Sequence, residues 1–180
     1  MDEPDPQILR SAQKGDQRAF EAIVRAYQAD VWRLCFHLLG ERNMADDVAQ
    51  DALVRVYRFL PRYRGDSKFS TWLFSLVRNC CLDELRRTKR RRSVKEKVEA
   101  QPPVARGDPQ VAIEVRDALA LLPLELREPL VMIDMFGESY RETAGVLGLP
   151  EGTVKSRVHR ARALLIESLS IEDAGDADEI

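Results

Sequence analysis

Cysteine and histidine are scarce in this 180-residue chain, at three and two residues. Cys35, Cys80 and Cys81 lie inside apolar helical patterns, and the adjacent pair makes no familiar metal-ligand spacing. They read as reduced thiols, wholly or partly buried. His37 and His159 stand far apart without a ligand-spaced partner, so no metal site and no cofactor is expected. A long apolar run is missing too, since nothing approaches the roughly 20 residues that span a bilayer. The N-terminus is acidic through Asp2, Glu3 and Asp5, and lacks the basic and apolar regions of a secretory signal. A cytoplasmic protein without membrane insertion is the expectation. There is no glycine-rich phosphate loop and no nucleophile–base pair, which argues against an enzyme. No segment alternates as a strand would, and no internal repeat is evident.

Excess positive charge is also lacking, with 28 Lys and Arg against 30 Asp and Glu and a net charge of −2. A protein holding DNA by bulk electrostatics would be more basic. The charge is instead segregated. Both chain ends are acidic, while Arg86, Arg87, Lys89, Arg90, Arg91 and Arg92 form a dense basic cluster. This distribution predicts local DNA contacts on a chain that binds DNA weakly by itself; a solvated charge run is the plain alternative.

What is present is helical periodicity. Phe20, Ile23, Val24, Tyr27, Val31, Leu34 and Leu38 repeat at helical spacing, and Gly40 ends the run. A second helix carries Val48, Ala52, Val56 and Phe59 on one face and stops at Pro61. Asp46, Asp47 and Asp51 fall in its first turns, where the helix dipole favours them. A glycine- and aspartate-bearing loop, Arg64 to Lys68, leads to a third helix starting near Phe69 or Ser70. Its apolar positions are Trp72, Leu73, Leu76, Val77, Cys80 and Leu85, and it runs into the basic cluster. Trp72 reads as a core aromatic rather than a base-stacking one.

From Ser93 to Pro109 the composition shifts to alternating charge and then to proline and glycine, the pattern of a linker. Beyond it, Val111, Val115, Ala118, Leu119 and Leu122 make a helix ended by Pro123. A short helix follows over about Leu126 to Met135, with Pro129 in its first turn. The stretch Ser139 to Arg162 then reads as helix, turn, helix. Tyr140, Ala144 and Leu147 share one face, Gly148 permits a backbone conformation most residues avoid, and Pro150 starts a new helix. That helix buries Val154, Val158, Ala161 and Leu165 and turns Lys155, Ser156, Arg157, His159, Arg160 and Arg162 outward. A helix-turn-helix needs these parts to enter a major groove, and an ordinary helical hairpin with a basic face remains the alternative. The tail from Glu172 to Ile180 is acidic and rich in small residues, a composition of disorder. The fold class is all-α, as two small helical domains on a flexible tether.

Several blocks, in order, resemble the extracytoplasmic-function (ECF) sigma factors, the smallest members of the sigma-70 class. Gly15-Asp16 with Ala19-Phe20 is similar to the entry to region 2. Ala45-Asp46-Asp47-Val48-Ala49-Gln50-Asp51 is similar to the acidic segment that docks on the polymerase clamp, and Phe69-Ser70-Thr71-Trp72-Leu73 to the aromatic segment before the promoter-reading helix. Asn79, Asp83, Arg86, Arg87, Arg90 and Arg91 fit that helix. Leu119, Leu122, Pro123 and Arg127 open region 4, and Gly152-Thr153-Val154-Lys155-Ser156-Arg157 closes it. The resemblance spans about Gly15 to Leu165. Met44 and Thr143 depart from the family's usual residues, and Thr143 is expected to pack less well than an aliphatic residue.

The resemblance implies an N-terminal tail over 1–14, a region 2-like domain over 15–92, a linker over 93–109, a region 4-like domain over 110–170 and an acidic tail over 171–180. It implies core RNA polymerase and promoter DNA as partners, and control by an anti-sigma factor. Asp46, Asp47, Gln50 and Asp51 would face the polymerase. Gly65, Asp66, Ser67, Lys68 and Phe69 would receive a flipped base of the downstream (−10) element, with Asn79 and Asp83 on base edges and Arg86, Arg87, Arg90 and Arg91 on the backbone. Helix-turn-helix geometry nominates Glu151, Thr153, Lys155, Ser156 and Arg157 for base edges of the upstream (−35) element, with Arg160 and Arg162 on phosphates. A helix-turn-helix regulator that never joins polymerase explains the C-terminal half alone. An RNA-binding or scaffold protein would use only the arginine cluster.

Overall fold

The computed structural model describes residues 3–95 and 118–175, and among them the side chains of 3–91 and 118–169. The chain divides into two compact units, Met1–Val104 and Ala105–Ile180. All regular structure among the described residues is helical.

The described residues of the N-terminal unit form four α-helices: α1 (Pro6–Gln13), α2 (Gln17–Leu39), α3 (Arg42–Phe59) and α4 (Phe69–Lys95). Local chemistry sets their ends. Asp5 accepts from the Gln7 amide at 2.6 Å and Pro6 sits at the first helical position, so α1 starts with both an N-cap and a proline. Asp16 likewise accepts from Arg18 and Ala19 at 2.9 and 3.1 Å. Gly40 ends α2 in the left-handed conformation, at φ +75°. A 3-10 turn, Leu60–Arg62, accommodates Pro61 after α3.

Helix α2 packs against α1, α3 and α4, with α3 also against α4. The shared core is Ile23, Tyr27, Val31, Leu34 and Leu38 of α2, Val48, Ala52 and Val56 of α3, and Leu73, Phe74 and Val77 of α4. Each large apolar side chain buried this way contributes about 1.5–3 kcal/mol. All three cysteines lie in this core.

Four sequence expectations change here. The stretch 1–14, read as a tail, carries α1 packed on α2. Helix α3 begins at Arg42, so Asp46 and Asp47 sit in its second turn, beyond the reach of dipole stabilisation at the terminus. Phe59 is exposed at the end of α3, beneath the Arg62 guanidinium at 5.6 Å, and is no part of the core. Helix α4 continues through Ser93 to Lys95, into the expected linker. The rest of that linker and the segment 110–117 lie outside the described residues.

In the C-terminal unit, residues 118–121 are helical, and α5 (Leu124–Leu130), α6 (Tyr140–Leu147) and α7 (Glu151–Gly175) follow. Arg127 donates to the carbonyls of Ala120 and Leu122 at 2.8 and 2.9 Å, satisfying acceptors at the preceding helix end. Pro129 lies inside α5 rather than in its first turn, because the helix starts at Leu124, and a π turn over Val131–Met135 follows it. The core joins Leu119, Leu122, Leu126 and Leu130 to Ala144, Val154, Val158 and Ala161. Helix α7 extends to Gly175, past the expected start of the acidic tail; residues 176–180 are outside the described set.

Candidate nucleic-acid interface

The loop between α3 and α4 is built on an aromatic base. Tyr63, Phe69 and Trp72 contact one another with ring centroids 5.1–5.7 Å apart, and Tyr27 of α2 meets Phe69 at 5.2 Å. Phe69 is wholly buried, so it anchors the loop from below and offers no side chain to DNA, contrary to the expectation for it. Trp72 is half-buried in the same cluster, a core aromatic as the sequence suggests. Above this base, Arg64, Gly65, Asp66, Ser67 and Lys68 are all exposed. Gly65 turns the chain at φ +77°, which a side chain would strain. The Tyr63 hydroxyl donates to the Ser67 carbonyl at 2.6 Å and holds the loop folded.

On α4, Asn79 is exposed about two turns beyond Trp72 of the aromatic base. Asp83, one turn further, is engaged within the protein. It accepts from Arg55 of α3 at 3.2 Å, and Arg86 reaches its other oxygen at 3.5 Å. Asp83 therefore ties α3 to α4 and steadies Arg86 instead of standing free for a base edge. Glu84 does the same for Arg87 and Arg91, at 3.6 and 4.0 Å. These arginines remain more than half exposed. Exposed ion pairs contribute only about 0–1 kcal/mol, so a phosphate can displace them.

The acidic segment occupies the outer face of α3. Asp46, Asp47, Gln50 and Asp51 are exposed, while Ala45, Val48, Ala49 and Ala52 are buried. Asp46 accepts from the Trp32 indole at 2.6 Å, and Trp32 stacks on Phe36 at 5.1 Å. The result is a cluster of exposed carboxylates beside an oriented aromatic pair.

The helix-turn-helix is α6, a turn and α7. Ser139 and Glu142 form a capping box, with the Glu142 amide donating to Ser139 at 3.2 Å and the Ser139 amide to Glu142 at 2.8 Å. Gly148 closes α6 at φ +66°. Pro150 accepts from Thr153 and Val154 at 3.0 and 3.2 Å and so starts α7. Val154, Val158 and Ala161 are fully buried. Glu151, Lys155, Ser156, Arg160 and Arg162 are exposed, and Thr153 and Arg157 are half-buried.

Several of these polar groups have partners within the unit. Lys155 pairs with Glu151 at 2.7 Å and lies 5.7 Å over the Tyr140 ring. Its hydrogen bond to Glu151 raises its pKa above the ordinary lysine value. Arg157 meets Glu125 at 3.6 Å. Arg162 makes a two-pronged pair with Asp134, at 2.5 and 3.0 Å, which pushes the guanidinium pKa upward, by hydrogen bonding first and charge second. Arg162 is thus occupied, whereas Arg160 is exposed on α7. Thr143 is fully buried, and its hydroxyl has no hydrogen-bond partner among the described residues.

Sequence reading missed α1 and the second members of these pairs, Arg55, Glu84, Glu125 and Asp134. Only α1 carried a legible signal, in the Asp5-Pro6 start. Among the described residues no cluster of histidine, cysteine and carboxylates could hold a metal ion, and no helix is long and apolar enough to cross a membrane.

Comparison with known proteins matches both units to families. Residues 23–91 match Sigma-70 region 2, and residues 112–165 match Sigma-70, region 4. The chain is 39% identical over 173 residues to the ECF RNA polymerase sigma factor SigM of Mycobacterium tuberculosis, covering 95% of this chain and 87% of that one. The sigma factor RpoE of Bartonella quintana, solved in complex with the anti-sigma factor NepR, superposes with a TM-score of 0.73 at 27% identity, over 84% of this chain and 97% of that one. CnrH, solved with the cytosolic domain of CnrY, gives a TM-score of 0.69 at 28% identity, over 98% and 99% of the two chains. With region 2 and region 4 both present and in order, this chain belongs to the extracytoplasmic-function sigma factors of the sigma-70 class.

Proposed function

We propose that this chain binds core RNA polymerase, directs it to a two-part promoter and helps open the DNA there. The observation that carries the reading is the pairing of an exposed basic α7 in one unit with an exposed loop and arginine-bearing α4 in the other. A regulator that only bound duplex DNA would have no use for the second. Energetics explain why a polymerase is needed. Base stacking averages about 1.4 kcal/mol per step, so melting on the order of ten pairs costs roughly 14 kcal/mol. Nanomolar binding supplies about 12 kcal/mol in total. A small protein with a few phosphate contacts has no surplus for melting.

The roles follow the exposed surfaces. Asp46, Asp47, Gln50 and Asp51 face the polymerase. The loop Gly65–Lys68 takes a base of the separated non-template strand, and extrusion costs least where pairing is already lost. Asn79 reads a neighbouring base edge, and Arg86, Arg87, Arg90 and Arg91 hold the backbone, with Asp83 positioning Arg86. On α7, Glu151, Thr153, Lys155, Ser156 and Arg157 read the upstream element, while Arg160 and, once released from Asp134, Arg162 grip phosphates.

The chain acts in the cytoplasm as a transcription factor without catalytic chemistry of its own. An anti-sigma factor restrains it by covering these surfaces; the complex of the Bartonella quintana relative with NepR supports this. Titration of labelled protein with core polymerase tests the docking face. Asp47→Lys with Asp51→Lys should weaken core binding by at least tenfold; unchanged affinity would remove that face from the account.

A further inference from the structure

The loop Arg64–Lys68 is anchored at both ends by one short segment that precedes it by about fifty residues. At the entry, the Gln13 side-chain amide donates to the carbonyls of Tyr63, at 2.7 Å, and Leu60, at 3.3 Å. At the exit, the Glu3 carboxylate accepts from the Phe69 amide at 2.7 Å and the Ser70 amide at 3.2 Å. Between Glu3 and Gln13 runs α1, eight residues long, a strut of roughly 12 Å at 1.5 Å per residue. The segment lies outside the residues 23–91 that match Sigma-70 region 2.

We infer that Glu3 and Gln13 are positioning residues for the base-reading loop, setting its width from α1. Three observations carry this beyond ordinary capping. The four bonds fall on the residues that flank the loop, Leu60 and Tyr63 before it and Phe69 and Ser70 after it. Phe69 is completely buried and Ser70 nearly so, and their amides bind a charged acceptor, the stronger kind of hydrogen bond. The same anchors are tied across the loop by the Tyr63–Phe69 ring contact at 5.7 Å and by the Tyr63 hydroxyl on Ser67. This inference rests on the reading of the loop as a base receiver.

The test uses holoenzyme assembled from the full chain and core polymerase. It measures competitive initiation on promoters carrying each base at each position of the downstream element. Glu3→Gln and Gln13→Met should each lower discrimination by about tenfold, equivalent to about 1.4 kcal/mol, at the one position that Asp66→Ala and Ser67→Ala also affect. Upstream preference and core binding should stay within about twofold. Glu3→Gln combined with Asp66→Ala should be non-additive, as residues acting through one structure are. A uniform loss across all promoters that tracks a fall in thermal stability would reduce Glu3 to a helix cap and overturn the inference. So would unchanged discrimination in Glu3→Gln and Gln13→Met while the loop variants shift it. If the loop variants themselves affect no position, the loop reading falls, and the inference falls with it.

Discussion

Arg55 of α3 donates to Asp83 of α4 at 3.2 Å, and the same carboxylate receives Arg86 at 3.5 Å. A residue whose family pattern suggests base contact is therefore a tie between helices. Asn79, four residues earlier on the same helix, is exposed. The two should separate by experiment. Asn79→Ala should change base preference at one downstream position, since a bidentate base contact is worth roughly 1–3 kcal/mol of discrimination. Asp83→Ala should slow opening equally on all downstream sequences, and a double-mutant cycle with Arg55→Ala should give a coupling of about 0.2–1 kcal/mol. Base-specific loss in Asp83→Ala would restore it to the interface.

Thr143 places a hydroxyl without an acceptor in the core of the helix-turn-helix. Replacing it with valine keeps the shape and removes a buried polar atom, a change of about 1 kcal/mol in favour of folding. Both tryptophans, Trp32 and Trp72, lie in the N-terminal unit, so their fluorescence cannot report this change. Hydrogen exchange of α6 and α7 amides can: protection should rise by about fivefold in Thr143→Val. Reduced protection would show that the hydroxyl has a partner in solution.

Asp134 holds Arg162, which otherwise projects from α7. Asp134→Asn should release it for phosphate contact. Holoenzyme binding to promoter fragments should then strengthen several-fold at low salt, and the log–log salt slope should steepen by about one. An unchanged slope would mean that Arg162 never reaches the backbone.

The Cys80 thiol gives a pH dependence. Cys80 is buried, and burial pushes its pKa above the ordinary value of 9.0. The unfolded chain thus loses this proton first. The stability associated with the neutral thiol is fully present below pH 9 and is lost as pH rises beyond it. Alkylation of Cys35, Cys80 and Cys81 at pH 8 should be slow in the native protein and fast in denaturant. Rapid native labelling would show that the core opens readily.

Helical periodicity made the architecture legible because each buried stripe, such as Val154, Val158 and Ala161, depends on spacing along one helix. Gly40 and Gly148 were legible as stops for a similar local reason. What stayed hidden depends on contacts between distant residues. Nothing near Phe69 announces that Tyr27 of α2 closes over it, and nothing near Glu3 announces the α4 N-terminus 66 residues away. The ion pairs of α7 are hidden likewise, since Glu125 and Asp134 read locally as surface carboxylates. Sequence reading thus separated exposed from buried helix faces and left open which of the exposed side chains are already engaged.

Promoter-directed initiation can be read by mixing the full chain with bacterial core RNA polymerase and a pool of genomic promoter fragments, then sequencing the transcripts' 5′ ends. The account predicts initiation downstream of a shared two-part motif, absent without the protein, with Arg157→Ala altering only the upstream preference and Asn79→Ala only the downstream one. Failure to bind core or to direct initiation, together with tight binding of duplex DNA by the free protein, would contradict it.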